Sequence, residues 1–67
     1  KPNVFCVKIN NKKLIYNETP QTWEFYDLIK DPCEKNNIYK SELSDVINLK
    51  KRLTHYLEIN NLKINLK

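Results

Sequence analysis

The sequence has no glycine and no methionine, and only two cysteines, one tryptophan and one histidine in 67 residues. Phosphate-cradling loops need backbone without a Cβ, so the lack of glycine excludes the P-loop and dinucleotide-binding fingerprints. Turns must then be made by other residues. Three asparagine pairs, Asn10-Asn11, Asn36-Asn37 and Asn60-Asn61, punctuate the chain where glycine would otherwise stand, because Asn tolerates left-handed φ better than most residues. No apolar run approaches the roughly 20 residues of a membrane-spanning helix, so no membrane span is expected. Two cysteines do not make a disulfide framework, neither sits in a C-x-x-C pair, and with His55 alone they give no zinc-ligand spacing. Cys6, inside a strand pattern, is expected as a buried thiol and Cys33 as a loop thiol, a Cys6–Cys33 disulfide being the alternative.

What is present reads as one small folded domain, residues 1–67. Apolar residues make up 40% and charged residues 30%, the balance of a chain with a core rather than of a disordered tail. A chain of about 60 residues buries only about 60% of its unfolded surface, too little to support an independent active site with its surrounding shell. The chain opens Lys1-Pro2-Asn3 without Met, which leads us to expect more polypeptide upstream. The net charge of +4 comes from scattered basic residues, of which only Lys50-Lys51-Arg52 are grouped. A nucleic-acid surface needs denser clusters with aromatics between them, and no nucleic-acid partner is expected.

The periodicities divide the chain. Val4 to Ile9 alternates as a strand, with Phe5, Val7 and Ile9 on one face and Val4, Cys6 and Lys8 on the other. A turn at Asn10-Asn11-Lys12 leads to a second strand from Lys13 to Asn17, with Leu14 and Tyr16 opposite Ile15. Thr19-Pro20 interrupts the pattern, since proline lacks a ladder donor. Trp23 to Asp27 resumes it, Trp23 and Phe25 alternating with Glu24 and Tyr26. Asp31-Pro32 ends the meander and begins an ordered loop, in which Ile38 is expected to drop into the core. A helix is predicted from Glu42 to Glu58, capped by Ser41 or Ser44. Its apolar stripe is Leu43, Val46, Leu49, Leu53, Tyr56 and Leu57, with Ile47 at the margin. The alternating tail, Leu62, Ile64 and Leu66 against Lys63, Asn65 and Lys67, reads as a fourth or edge strand. The fold class is therefore α+β: a small antiparallel sheet of three to four strands packed against one C-terminal amphipathic helix.

Candidate chemistry is sparse. Glu24, Asp27, Asp31 and Glu34 lie close in sequence, but a catalytic carboxylate pair must converge in a pocket with separated pKa values. Strand and turn positions give these four structural roles. His55 has no sequence neighbour to orient it, and the serines lack a G-x-S-x-G setting. The aromatics stand at core spacing rather than as a ligand platform. Asn17-Glu18-Thr19 matches the N-glycosylation triplet, which occurs often by chance. No catalytic, cofactor-binding or metal-ligating residue is assigned.

One stretch carries a resemblance. Trp23-Glu24-Phe25-Tyr26-Asp27-Leu28-Ile29-Lys30-Asp31-Pro32-Cys33-Glu34-Lys35-Asn36-Asn37-Ile38 resembles the C-terminal subdomain of the sulfatase family, which carries E-L-Y-D-L-x-x-D-P-x-E-x-x-N-L before an amphipathic helix. Glu24, Tyr26, Asp27, Leu28, Asp31, Pro32, Glu34 and Asn37 match. Phe25 and Ile38 replace leucines, and Cys33 stands where the family usually has glycine, a place where the turn would be adjusted. Lys13-Leu14-Ile15-Tyr16-Asn17 and the helix through Leu49 and Leu53 resemble the flanking elements, so the likeness runs from about Val4 to Glu58. It implies a parent enzyme that hydrolyses sulfate esters, with a formylglycine nucleophile and Ca²⁺ in a separate catalytic domain, and an extracytoplasmic location. Neither Cys6 nor Cys33 lies in the C/S-x-P/A-x-R motif that yields formylglycine. This chain is thus expected to be an inactive accessory subdomain whose partner is the catalytic domain of the same polypeptide. The alternative is a free-standing basic binding module with no enzymatic parent.

Overall fold

The structure is a computed structural model and describes residues 3–61. Three strands, β1 (Val4–Ile9), β2 (Lys12–Asn17) and β3 (Thr22–Asp27), form an antiparallel sheet in the order β1-β2-β3, followed by one helix, α1 (Ser44–Ile59). This is the α+β arrangement read from the periodicities. The tail from Leu62, expected as a further strand, lies outside the described residues.

The hairpins show how the chain turns without glycine. β1 and β2 are joined by two residues, Asn10 and Asn11, both at positive φ (50° and 64°). A two-residue turn of this kind matches the right-handed twist of the strands and needs left-handed backbone at both positions. β2 and β3 are joined through Glu18–Gln21, closed by Gln21 N–H donating to the Glu18 carbonyl at 3.2 Å, with Gln21 at φ 57°. The helix ends in the same way, with Asn61 at φ 54° and its N–H donating to the Glu58 carbonyl. The pair Asn36-Asn37 departs from this reading, since neither residue is left-handed. In that loop the left-handed residue is Glu34, at φ 54°. Any adjustment of the turn therefore falls at Glu34 and not at Cys33.

Register places Leu14, Tyr16, Trp23 and Phe25 on one face of the sheet, where they form the core with Val46, Leu49, Leu53 and Leu57 of α1. Phe5, Val7, Ile9, Tyr39 and Leu43 pack around its margin. Several expectations are corrected here. Tyr56 is exposed: it stands about 60° around the helix from Leu53, at 3.6 residues per turn. Ile38 is exposed and Tyr39 is the residue turned toward the core, because Ile38 donates its N–H to the Phe25 carbonyl and the alternation along that edge directs the next side chain inward. No serine caps α1: Leu43 holds the N-cap position with no side-chain hydrogen bond, and Ser44 is already helical. Cys6 and Cys33 are free and exposed. Cys6 lies on the sheet face away from the helix, so it is not a buried thiol.

Candidate functional site

The polar chemistry of the described residues lies mainly on the outer face of the sheet and in the loop along β3. On the outer face, Ile15 of β2 stands opposite Glu24 of β3, and Lys13 opposite Tyr26. Tyr26 is buried although it lies on the face away from the helix. Its hydroxyl donates to Glu24 Oε1, and the Asn17 amide donates to Glu24 Oε2 at 2.8 Å and to Thr22 Oγ1 at 3.3 Å. Lys13 Nζ reaches Glu34 Oε2 at 3.1 Å, tying the loop to the sheet.

These contacts set the protonation of the face. The hydroxyl of Tyr26 and then the amide of Asn17 hold the Glu24 carboxyl below its ordinary value against a smaller desolvation effect. The same bond to Glu24, helped by burial, pushes Tyr26 up to about 12. At neutral pH the face therefore carries an ionised Glu24 and a neutral Tyr26. On the opposite, helix side of the sheet, at the Ile9 end, Lys12 and Asp27 stand opposite each other in register and pair at 2.8 Å. The Lys12 hydrogen bond lowers Asp27, and Asp27 in turn raises Lys12.

The loop that carries the sulfatase-like residues is tied through backbone groups. Asp27 Oδ1 accepts from the N–H of Ile29 and Lys30. Asp31 accepts from Lys35 and Asn36, each at 3.0 Å. Asn37 takes the place of a neighbouring strand: its Oδ1 accepts from Phe25 N–H and Tyr39 N–H, and its Nδ2 donates to the Trp23 carbonyl. Side chains of Asp and Asn commonly substitute for lost sheet partners in this manner.

A third cluster was not legible in the sequence. Trp23 and Tyr39 stack with ring centroids 6.0 Å apart and planes within 9°. Lys50 Nζ lies 4.4 Å from the Trp23 ring and donates to the Tyr39 hydroxyl at 2.6 Å. An ammonium over an indole face is attracted by the ring quadrupole. Here it joins helix, loop and sheet. Spacing alone could not reveal it, since Lys50 sits one residue off the apolar stripe and reads as a solvated helix position.

The carboxylates do not converge. Glu24 is turned to Asn17 and Tyr26, Asp27 to Lys12, Glu34 to Lys13, and Asp31 to backbone amides. Among the described residues no group of three or more His, Cys, Asp or Glu could hold a metal ion. The donor set of the Ca²⁺ site that the sulfatase resemblance implies does not fit onto these residues. The exposed Cys6 and Cys33 lie outside the formylglycine motif, and His55 is an exposed helix residue. No helix among the described residues is long and apolar enough to cross a membrane.

The fold and this placement of polar groups define a small sheet-and-helix domain in which Lys12–Asp27, Lys13–Glu34 and Lys50 with Tyr39 tie elements together. The family model described as "N-sulphoglucosamine sulphohydrolase, C-terminal" matches residues 2–62, and the chain belongs to that family, the C-terminal domain of a sulfatase. No curated protein and no solved structure matches it.

Proposed function

We propose that this chain is the accessory subdomain of a sulfuric ester hydrolase, docking the outer face of its sheet on the catalytic domain of the same polypeptide and supplying no catalytic group itself. The observation that carries this reading is the state of Tyr26. A tyrosine that is buried on the face opposite the helix, with its hydroxyl already satisfied by Glu24, leaves a compact surface that can be covered without stranding a polar group. Ile15, half-buried beside it, adds apolar area. Family membership favours this reading over a free-standing basic module. The formylglycine and Ca²⁺ of the family would then reside in the catalytic domain.

The test uses the full-length parent enzyme and the isolated chain together. Ile15→Asp is expected to lower the thermal midpoint and the turnover of the parent on an aryl sulfate, while Ile47→Asp on the exposed side of α1 leaves both near normal. The isolated 67-residue chain is expected to show no aryl sulfate hydrolysis with or without added Ca²⁺. Metal-dependent turnover by the isolated chain, or a parent indifferent to Ile15→Asp, would overturn the reading.

A further inference from the structure

Lys8 of β1, Lys13 of β2 and Glu24 of β3 point to the outer face of the sheet, and Glu34 reaches it from the loop. Lys13 Nζ lies 3.1 Å from Glu34 Oε2. Glu24 accepts from Tyr26 and Asn17 and is further attracted by Lys13. Lys8 is exposed and stands directly opposite Lys13 in the register. Glu18 N–H donates to the Asn3 carbonyl, so the pairs that exchange hydrogen bonds between β1 and β2 are those of Phe5, Val7 and Ile9. Lys8 and Lys13 fall between them, where facing side chains come closest. Like charges placed in this way destabilise a sheet.

No side-chain carboxylate of the chain stands beside Lys8. All eight Asp and Glu residues fall among the described residues. Glu18 accepts from the Asn3 amide at the Val4 end of the sheet, away from Lys8. Asp27 pairs with Lys12 on the helix side, and Asp31 accepts from backbone amides of its own loop. Glu42, Asp45 and Glu58 belong to α1 and the turn before it, across the sheet. Lys8 is thus an ammonium without a counter-charge, set against a second ammonium.

The remainder of that half of the face is apolar. Val4 and Cys6 are exposed on the same side of β1, and Cys6 stands beside Ile15. Covering this surface is favoured by the apolar area removed from water. It also strips water from Lys8, and burying an unpaired charge is costly. Whatever covers the face must bring an opposite charge to that point. Given the docking of this face on the catalytic domain, on which the inference rests, we propose that the catalytic domain presents a carboxylate to Lys8. The contact answers the unpaired ammonium and fixes the register in which the two domains meet. The repulsion between Lys8 and Lys13 in the free chain is then relieved only when the domains come together.

Charge reversal tests this in two settings. In the isolated 67-residue chain, Lys8→Glu turns a like-charge pair into an opposite one, and the thermal midpoint is expected to rise by roughly 1–5 °C. In the full-length parent the same substitution sets two carboxylates against each other. There the midpoint is expected to fall, by a margin that shrinks as salt is added. A rise in both settings, or an unchanged parent, with Ile15→Asp still destabilising the parent, would overturn the carboxylate at Lys8 and leave the docking intact. A fall in both settings would overturn it as well, since Lys8 would then serve the free chain. A parent indifferent to Ile15→Asp would remove the docking and this contact with it. Should the reversed parent not fold, Lys8→Gln takes its place, with a smaller fall expected, and no fall in that variant counts against the proposal.

Discussion

Leu14 and Ile15 are neighbours on β2 and similar in size, yet they stand in different chemistry. Leu14 is 0% exposed, in one cluster with Tyr16, Phe25 and the leucines of α1. Ile15 is half-buried on a face made of Glu24, Tyr26, Asn17 and Lys13. The inner face holds by excluding water from apolar surface, a non-directional force that scales with area. The outer face holds by directed bonds, each of which depends on its partner remaining in a given protonation state. The apolar cluster of the inner face should therefore respond to lost volume and ignore pH, and the Glu24–Tyr26 bond of the outer face should do the reverse.

The largest expected effect breaks the inner face. Leu53 is 2% exposed at the centre of the helix stripe. Leu53→Ala should cost about 2–5 kcal/mol by chemical denaturation, through lost burial and the cavity left behind. In a domain of this size that is a large share of the total stability. A loss under roughly 0.5 kcal/mol, as at an ordinary surface position, would mean that α1 does not seal this face.

An intermediate effect is expected at the border between the two faces. Asn37→Ala removes an acceptor from Phe25 and Tyr39 and a donor from the Trp23 carbonyl. The loss should be about 1–3 kcal/mol, the range for leaving such groups without partners. It should show first as faster amide exchange at Phe25. In the parent enzyme, turnover per folded molecule should stay near normal. Unchanged stability with a large fall in turnover would instead make Asn37 a site residue.

The smallest effect sharpens the contrast. Tyr26→Phe removes the hydroxyl that holds Glu24 below its ordinary value. A carboxyl with a depressed folded pKa stabilises the protein above its unfolded pKa and loses that contribution as pH falls through the folded value. The variant should therefore be less stable at neutral pH, by roughly 0.5–1.5 kcal/mol, the net worth of one hydrogen bond. Below the carboxylate range it should approach the unaltered chain. At the alkaline end, absorbance titration of the unaltered chain should show Tyr26 ionising near 12, its stabilising share falling as pH rises from the ordinary tyrosine value of 10.0 through that one. Parallel acid profiles for the two chains would show that the outer-face bond is not formed in solution.

How much of this the sequence discloses follows the same division. Alternation sorted Leu14 and Tyr16 from Ile15, and Trp23 and Phe25 from Glu24 and Tyr26, because burial on one side of a strand leaves a period of two. The apolar stripe located α1 for a similar reason. Contacts made across elements left no such trace. Lys50 looks like any helix lysine until the Trp23–Tyr39 stack is in place beneath it. Ile38 and Tyr39 exchange expected roles because Asn37 occupies the edge of β3 and fixes the alternation beyond it. Serine near the helix start predicted a side-chain cap, but the chain enters α1 through Leu43, which packs on the core margin instead. On the outer face, sequence showed the carboxylates as separate residues and could not show that each is turned to a different partner.

Glu34 is the left-handed residue that also reaches back to the sheet, through Lys13. A side chain in this conformation carries a steric cost of about 1–2 kcal/mol that glycine would avoid. Glycine there would relax the backbone but leave Lys13 without its partner and the loop free to take its path independently of the outer face. The residue thus acts as a gauge: it accepts a penalty in its own torsion angle so that the course of the loop and the charge pattern of the sheet are set together.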